Sequence, residues 1–162
     1  MSTLLGRRQY LLAMASAIAM PRAAFGQEQH LPPVNDLRPL LAAVARDKSP
    51  LLILFSTPGC PFCLEVRRNY LAPRLEDKTP ALLLREVDIT SQRPLIDAAG
   101  APTTEAAFAM RLNIRVVPVV ALFALLDQML QLLAEPLVGL DRSGFYEGYL
   151  ASAIDIARKR LQ

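Results

Sequence analysis

Histidine and cysteine are nearly absent from this 162-residue chain, which holds one His (His30), two Cys (Cys60 and Cys63) and no Trp. Two thiols cannot staple a small disulfide-rich scaffold, and with one imidazole they cannot complete a four-ligand zinc site. Also missing are internal repeats, low-complexity tracts and, beyond residue 26, any apolar run of membrane-spanning length free of charge or turn residues. A soluble mature protein is therefore expected. What is present argues for a packed core: 52% of residues are hydrophobic and 20% charged, unlike a disordered chain. The length fits one domain. Eighteen basic residues against fifteen acidic ones, with a pI near 9.1, raise the question of a nucleic-acid or membrane-surface partner.

The placement of the positive charges answers it. Residues 1–26 (MSTLLGRRQYLLAMASAIAMPRAAFG) read as a cleavable export signal. Arg7 and Arg8 form the basic n-region, Tyr10 to Met20 the apolar core, and Ala24-Phe25-Gly26 the small-residue cleavage site. The apolar core is shorter than the roughly 20 residues a spanning helix needs. The stretch Gly6-Arg7-Arg8-Gln9-Tyr10-Leu11-Leu12 resembles a twin-arginine motif, with Gly6 and Leu12 replacing the usual hydroxyl residue and Lys. General secretion is the other route. Both lead to the periplasm, where disulfide chemistry is permitted. Removing Arg7, Arg8 and Arg22 leaves 15 basic and 15 acidic residues in 27–162, a net charge of zero. The basic pI belongs to the export signal, and no nucleic-acid partner is implied.

Residues 27–33 read as an irregular lead-in in which His30 is a solvated tail histidine. Asn35 or Asp36 caps a helix whose Leu37, Leu40, Leu41 and Val44 recur at helical spacing, ending at Lys48-Ser49-Pro50. Leu51–Phe55 is apolar without alternation, the pattern of a strand buried on both faces. Ser56–Gly59 turns the chain into Cys60-Pro61-Phe62-Cys63, followed by a helix over Leu64–Leu71 that Pro73 stops. Ala81–Ile89 is a second strand, residues 90–103 a loop, and Thr103 or Thr104 caps a short helix through Met110. Val116–Leu126, interrupted by Pro118, is a third strand, and Met129–Leu133 a fourth. Asp127-Gln128 would have to turn between them without a glycine. Asp141 or Ser143 opens a last helix with the stripe Leu150, Ile154, Ala157 and Leu161, and Arg158–Arg160 suit its C-terminal end. This order, βαβ followed by ββα, predicts an α/β domain over 27–162, with a central mixed four-stranded sheet flanked by helices.

The chemistry is concentrated where the first strand meets its helix. Cys60 falls near the N-cap, where unpaired N–H groups and the helix dipole favour a thiolate. Pro61 is tolerated in the first turn, and Cys63 lies about one turn further in. Cys60 is thus the expected nucleophile and substrate-facing sulfur, with Cys63 resolving the mixed disulfide. A zinc half-site lacks ligands, a structural disulfide closing so small a loop stabilises little, and a soft-metal carrier would want Met or His beside the pair.

At this point the chain resembles the thioredoxin superfamily over most of residues 36–160. Besides Cys60-Pro61-Phe62-Cys63, the run from Met110 to Val119 (MRLNIRVVPV) is similar to the family's approach to its cis-proline, and Leu137-Val138-Gly139-Leu140 to the glycine closing its last strand. The resemblance implies a thioredoxin fold with Pro118 beside the cysteine pair, keeping metal away from the thiols. It also implies that Val117's backbone pairs with an extended substrate, and that Phe62 borders the same surface. No cofactor is implied. The loop at 90–103 and the Gly-Cys-Pro-aromatic-Cys pattern look most like periplasmic thioredoxin-like proteins of the SoxW and Dsb-related kind. Three departures matter. Leu54 stands where many members hold a buried carboxylate, leaving only Glu65, expected to point outward, or water to serve Cys63. Gly59 replaces the Trp of thioredoxin proper, and Phe62 replaces the charged His of the strongly oxidising enzymes.

The expectation is a monomeric, exported thiol–disulfide oxidoreductase that reduces disulfides of periplasmic partner proteins, with electrons from a membrane-bound donor. A disulfide-forming oxidase, or a non-enzymatic copper or thiol carrier for metalloprotein assembly, are the alternatives. Intact-mass analysis of the protein recovered from a periplasmic fraction is expected to show a chain starting at Gln27. A chain retaining Met1 would overturn the cleavage reading and make the segment an uncleaved anchor, the other reading of this stretch.

Overall fold

The computed structural model of the chain describes residues 30–76 and 82–162. The export signal expected at 1–26 lies outside them, as does Ala81. The elements run α1 (Leu37–Asp47), β1 (Leu51–Ser56), α2 (Pro61–Val66), a π-helical turn (Arg67–Leu71), α3 (Ala72–Glu76), β2 (Leu83–Asp88), β3 (Pro94–Ile96), β4 (Pro102–Thr104), α4 (Glu105–Arg111), β5 (Val119–Leu126), β6 (Met129–Leu132), β7 (Leu137–Val138) and α5 (Tyr146–Lys159).

All six side chains of β1 are buried, as its unbroken apolar sequence requires. It pairs in parallel with β2 and antiparallel with β5. The sheet order is β2-β1-β5-β6, so the expected mixed four-stranded sheet is present, with β7 added alongside the first residues of β5. Alternation along β1 divides its side chains between two layers. Phe55 meets Phe108 of α4 (centroids 6.2 Å apart) and Phe123 of β5 (6.3 Å). Leu54 and Ser56 face the opposite layer. α1 packs on β1 and β5, α4 on β2, and α5 on β5. Asp36 caps α1 by accepting the Arg38 N–H at 2.9 Å, and Thr104 caps α4 by accepting the Ala107 N–H at 3.2 Å.

Several boundaries differ from the sequence reading, each for a local reason. Pro73 does not stop its helix. The preceding turn widens, with the Ala72 N–H donating to the Arg67 carbonyl five residues back, and α3 continues to Glu76. A π-turn just ahead of a proline relieves the ring's clash with the preceding turn. The segment 90–103 is not all loop, because β3 and β4 form a short hairpin there. Asp97 Oδ1 holds it by accepting the N–H groups of Ala99 and Ala101. Three-residue strands opening on Pro94 and Pro102 are too short to show a period. The third strand begins only at Val119, after Pro118. The last helix starts at Tyr146 rather than Asp141 or Ser143, since Asp141 Oδ1 accepts the Ser143 N–H in a turn and Gly144 has a φ of +85°. The hairpin between β5 and β6 turns at Asp127-Gln128, with φ values of 51° and 62°. Two left-handed residues suit the strands' twist even without glycine.

Replacing Phe55 by Ala removes the ring shared by α4 and β5, and is expected to lower the unfolding free energy by about 3–5 kcal/mol. The measurement is the midpoint shift in urea unfolding at unchanged slope.

Candidate redox site

Beyond Ser56 the chain turns through Thr57–Gly59, with the Cys60 N–H donating to the Thr57 carbonyl at 3.3 Å. Gly59 has a φ of +74°, a conformation other residues reach only with strain, and no atom lies within 4 Å of where a Cβ would stand. The approach to Cys60 is open on that side.

Cys60 is the N-cap of α2. Its backbone is extended (φ −79°, ψ 109°), and its Sγ accepts the Cys63 N–H at 3.1 Å. That bond would favour a thiolate once the sulfur is reduced. Cys60 and Cys63 form a disulfide with a Cα–Cα distance of 5.3 Å. The two sulfurs are unequal: Cys60 is half-buried, Cys63 fully buried. Phe62 between them is 40% exposed, and its ring lies 4.9 Å from the guanidinium carbon of Arg142.

The β1–β5 register carries the second motif to the same end of the sheet. Phe55 pairs with Val119, so Pro118 lies beside the end of β1 from which the chain turns to Cys60. Pro118 is buried, Val117 half-buried, and the bond between them is cis. The Gly139 N–H donates to the Pro118 carbonyl at 2.8 Å, and Val138 pairs with Val119, joining the third motif to the second.

Other residues here escaped the sequence reading. Leu54 pairs with Glu86 across β1 and β2, and in a parallel pair both side chains take the same face of the sheet. A carboxylate therefore does lie on the face carrying α2, displaced by one strand from the position expected at Leu54. Glu86 accepts from Arg67 (Nη2 to Oε1 2.5 Å, Nε to Oε2 3.0 Å) and from the Ser56 hydroxyl at 2.5 Å. Both side chains of the ion pair are nearly buried, at 9% and 11% exposure. Arg67 follows Cys63 by four residues on the same helical run. Glu65 is exposed, as expected. A second buried acid, Glu105, is held by Arg93 at 3.0 Å, and burial pushes its carboxyl above the usual range against the opposing pull of Ser91 and Arg93. A cavity of about 380 Å³ beside Gly59 is lined by Ser56, Glu86, Asp88, Arg93 and the exposed His30. Among the described residues no group of three or more His, Cys, Asp and Glu is placed to hold a metal ion, and no helix is long and apolar enough to cross a membrane.

No protein-family model and no curated protein sequence matches this chain. Solved structures do. The oxidized mitochondrial thioredoxin 3 of Saccharomyces cerevisiae is 14% identical, with 77% of this chain and 93% of that chain covered, at a TM-score of 0.50. The thioredoxin of Trichomonas vaginalis is 13% identical, with 80% and 97% covered, at a TM-score of 0.51. At such identities the likeness is one of architecture. The chain has the thioredoxin fold.

Truncating either Arg67 or Glu86 to Ala strands a buried charge and is expected to cost about 3–5 kcal/mol in chemical denaturation. Replacing both by apolar residues of similar volume should restore much of that loss. A double substitution costing the sum of the two single ones would show that the pair is not coupled.

Proposed function

We propose that the protein is an exported thiol–disulfide oxidoreductase that reduces disulfides of periplasmic partner proteins. One observation carries the reading: a disulfide whose first sulfur caps a helix at the open rim while the second is fully buried. In the reduced form the Cys60 thiolate attacks a partner disulfide, forming a Cys60–partner bond and releasing one partner thiolate, which takes up a proton. Cys63 then loses its proton to solvent and attacks Cys60. The second partner thiolate leaves, the Cys60–Cys63 disulfide re-forms, and two electrons have passed to the partner. Val117 offers its backbone to an extended substrate, Pro118 shields the pair, and Phe62 supplies an apolar contact.

A thiol donor in the membrane resets the disulfide, and the protein works as a monomer of the SoxW and Dsb-related periplasmic type. Phe62 supports the reducing direction, because the dipeptide between the cysteines carries no charge to stabilise a thiolate. The net charge of zero over 27–162 fits protein partners rather than nucleic acid.

Insulin reduction by the purified mature domain is expected to fall to background in Cys60→Ser, and the wild-type reduction potential to lie nearer about −270 mV than about −120 mV. Retained turnover in Cys60→Ser would remove the nucleophile. A potential at the oxidising end would make the protein a disulfide-forming oxidase, and tight one-to-one Cu(I) binding without thiol turnover would make it a carrier.

A further inference from the structure

The segment between β7 and α5 brings a cation from another element onto Phe62, the residue between the two cysteines. Gly139 is tied to the Pro118 carbonyl at 2.8 Å. Seven residues on, Tyr146 is buried and its ring lies 4.7 Å from that of Tyr70, in the helical run that begins at Cys60. Between these anchors the Asp141 turn and Gly144 (φ +85°) set the backbone, and Arg142 comes to lie over Phe62, 4.9 Å from the ring centroid. Among the described residues Arg142 forms no ion pair. Neighbouring Asp141 is turned to the Ser143 N–H at 2.8 Å. Glu65, exposed three residues beyond Phe62, is the acid on α2 closest in sequence to the pair.

We infer that Arg142, held in place by the Phe62 ring, acts through space on Cys60 to stabilise its thiolate and so makes the disulfide easier to reduce. This rests on the proposed redox role. With glutathione as reductant, the disulfide and two glutathione thiols give the Cys60 thiolate, the Cys63 thiol, glutathione disulfide and one proton. The oxidised site carries no charge on sulfur and the reduced site carries one. A fixed cation therefore favours the reduced side, and at low salt it does so most strongly. Phe62 removes the charge a His would bring inside the motif, and Arg142 offsets part of that loss from another element. This tempers the reducing direction without reversing it, since a tenfold effect is about 30 mV against the roughly 150 mV that separates reducing from oxidising dithiols.

The test is the equilibrium with a glutathione redox buffer, together with the Cys60 thiol pKa from thiolate absorbance, in wild type and Arg142→Ala, Arg142→Glu and Arg142→Lys. Arg142→Ala is expected to make the disulfide roughly threefold to tenfold harder to reduce, where tenfold is about 30 mV, and to raise the Cys60 pKa. Arg142→Glu should move both further and Arg142→Lys should largely restore them. The differences should collapse near 1 M salt, where screening reaches about 3 Å. In a Phe62→Leu background, which releases the guanidinium, the effect of Arg142→Ala should shrink. Unchanged equilibrium and pKa in both Arg142→Ala and Arg142→Glu, or an equal loss in Arg142→Lys, would overturn the inference. Absence of insulin turnover with these shifts intact would overturn the proposed function and leave Arg142's role standing.

Discussion

Six consecutive buried side chains in β1 can be accommodated only if the strand is covered on both faces and its backbone is hydrogen-bonded along both edges. Pairing with β2 on one side and β5 on the other meets the second condition. The layers carrying α4 and α2 meet the first. Once β1 is fixed, the remainder of the redox end follows from register. The carboxyl ends of β1 and β2 face the same way, the start of β5 lies beside them, and the chain leaves Ser56 directly toward the Cys60 cap. The disulfide is thus placed by a strand containing none of its residues.

The two layers solve burial differently. On the Phe55 side, rings from β1, α4 and β5 fill space with apolar surface. On the Leu54 side, Glu86 brings a charge into the sheet face, and desolvating it would be prohibitive without a partner. Arg67 supplies two donors and Ser56 a third. Arg67 opens the π-helical turn, which is the same feature that lets the run pass Pro73. One local distortion therefore sits at both an ion pair and a proline, and two apparent irregularities in the sequence meet in one segment.

What could be read from the sequence was whatever one element encodes by itself. β1 was legible as an unbroken apolar run, α1 and α4 from their spacing and caps, and the cysteine pair from its position after a strand and before a helix. Features made by two elements were not legible. Glu86 sits in a stretch, LLREVD, that reads simply as a half-buried strand, and its pairing with Leu54 becomes visible only through the register. Arg142 lies in a turn-rich loop 80 residues from Phe62, with no local pattern to connect them. The short strands β3, β4 and β7 span two or three residues each, below the length at which alternation can be detected.

That division also accounts for how a chain only 13–14% identical to the thioredoxins of Saccharomyces cerevisiae and Trichomonas vaginalis keeps their architecture. The core asks for apolar residues of suitable volume at the right period, a demand that very different sequences can meet. The rim asks for particular groups at particular points. Here it is built from three connections between the main elements: 57–59, the segment before Val119, and 139–145. They share the end of the sheet from which β1 turns toward Cys60: the Gly139–Pro118 hydrogen bond joins two of them, and Arg142 reaches Phe62. Substitution in these connections can change access and charge at the sulfur while β1 stays buried. On the role inferred for Arg142, the residues that tune such a dithiol lie in the loops around the motif as well as within it.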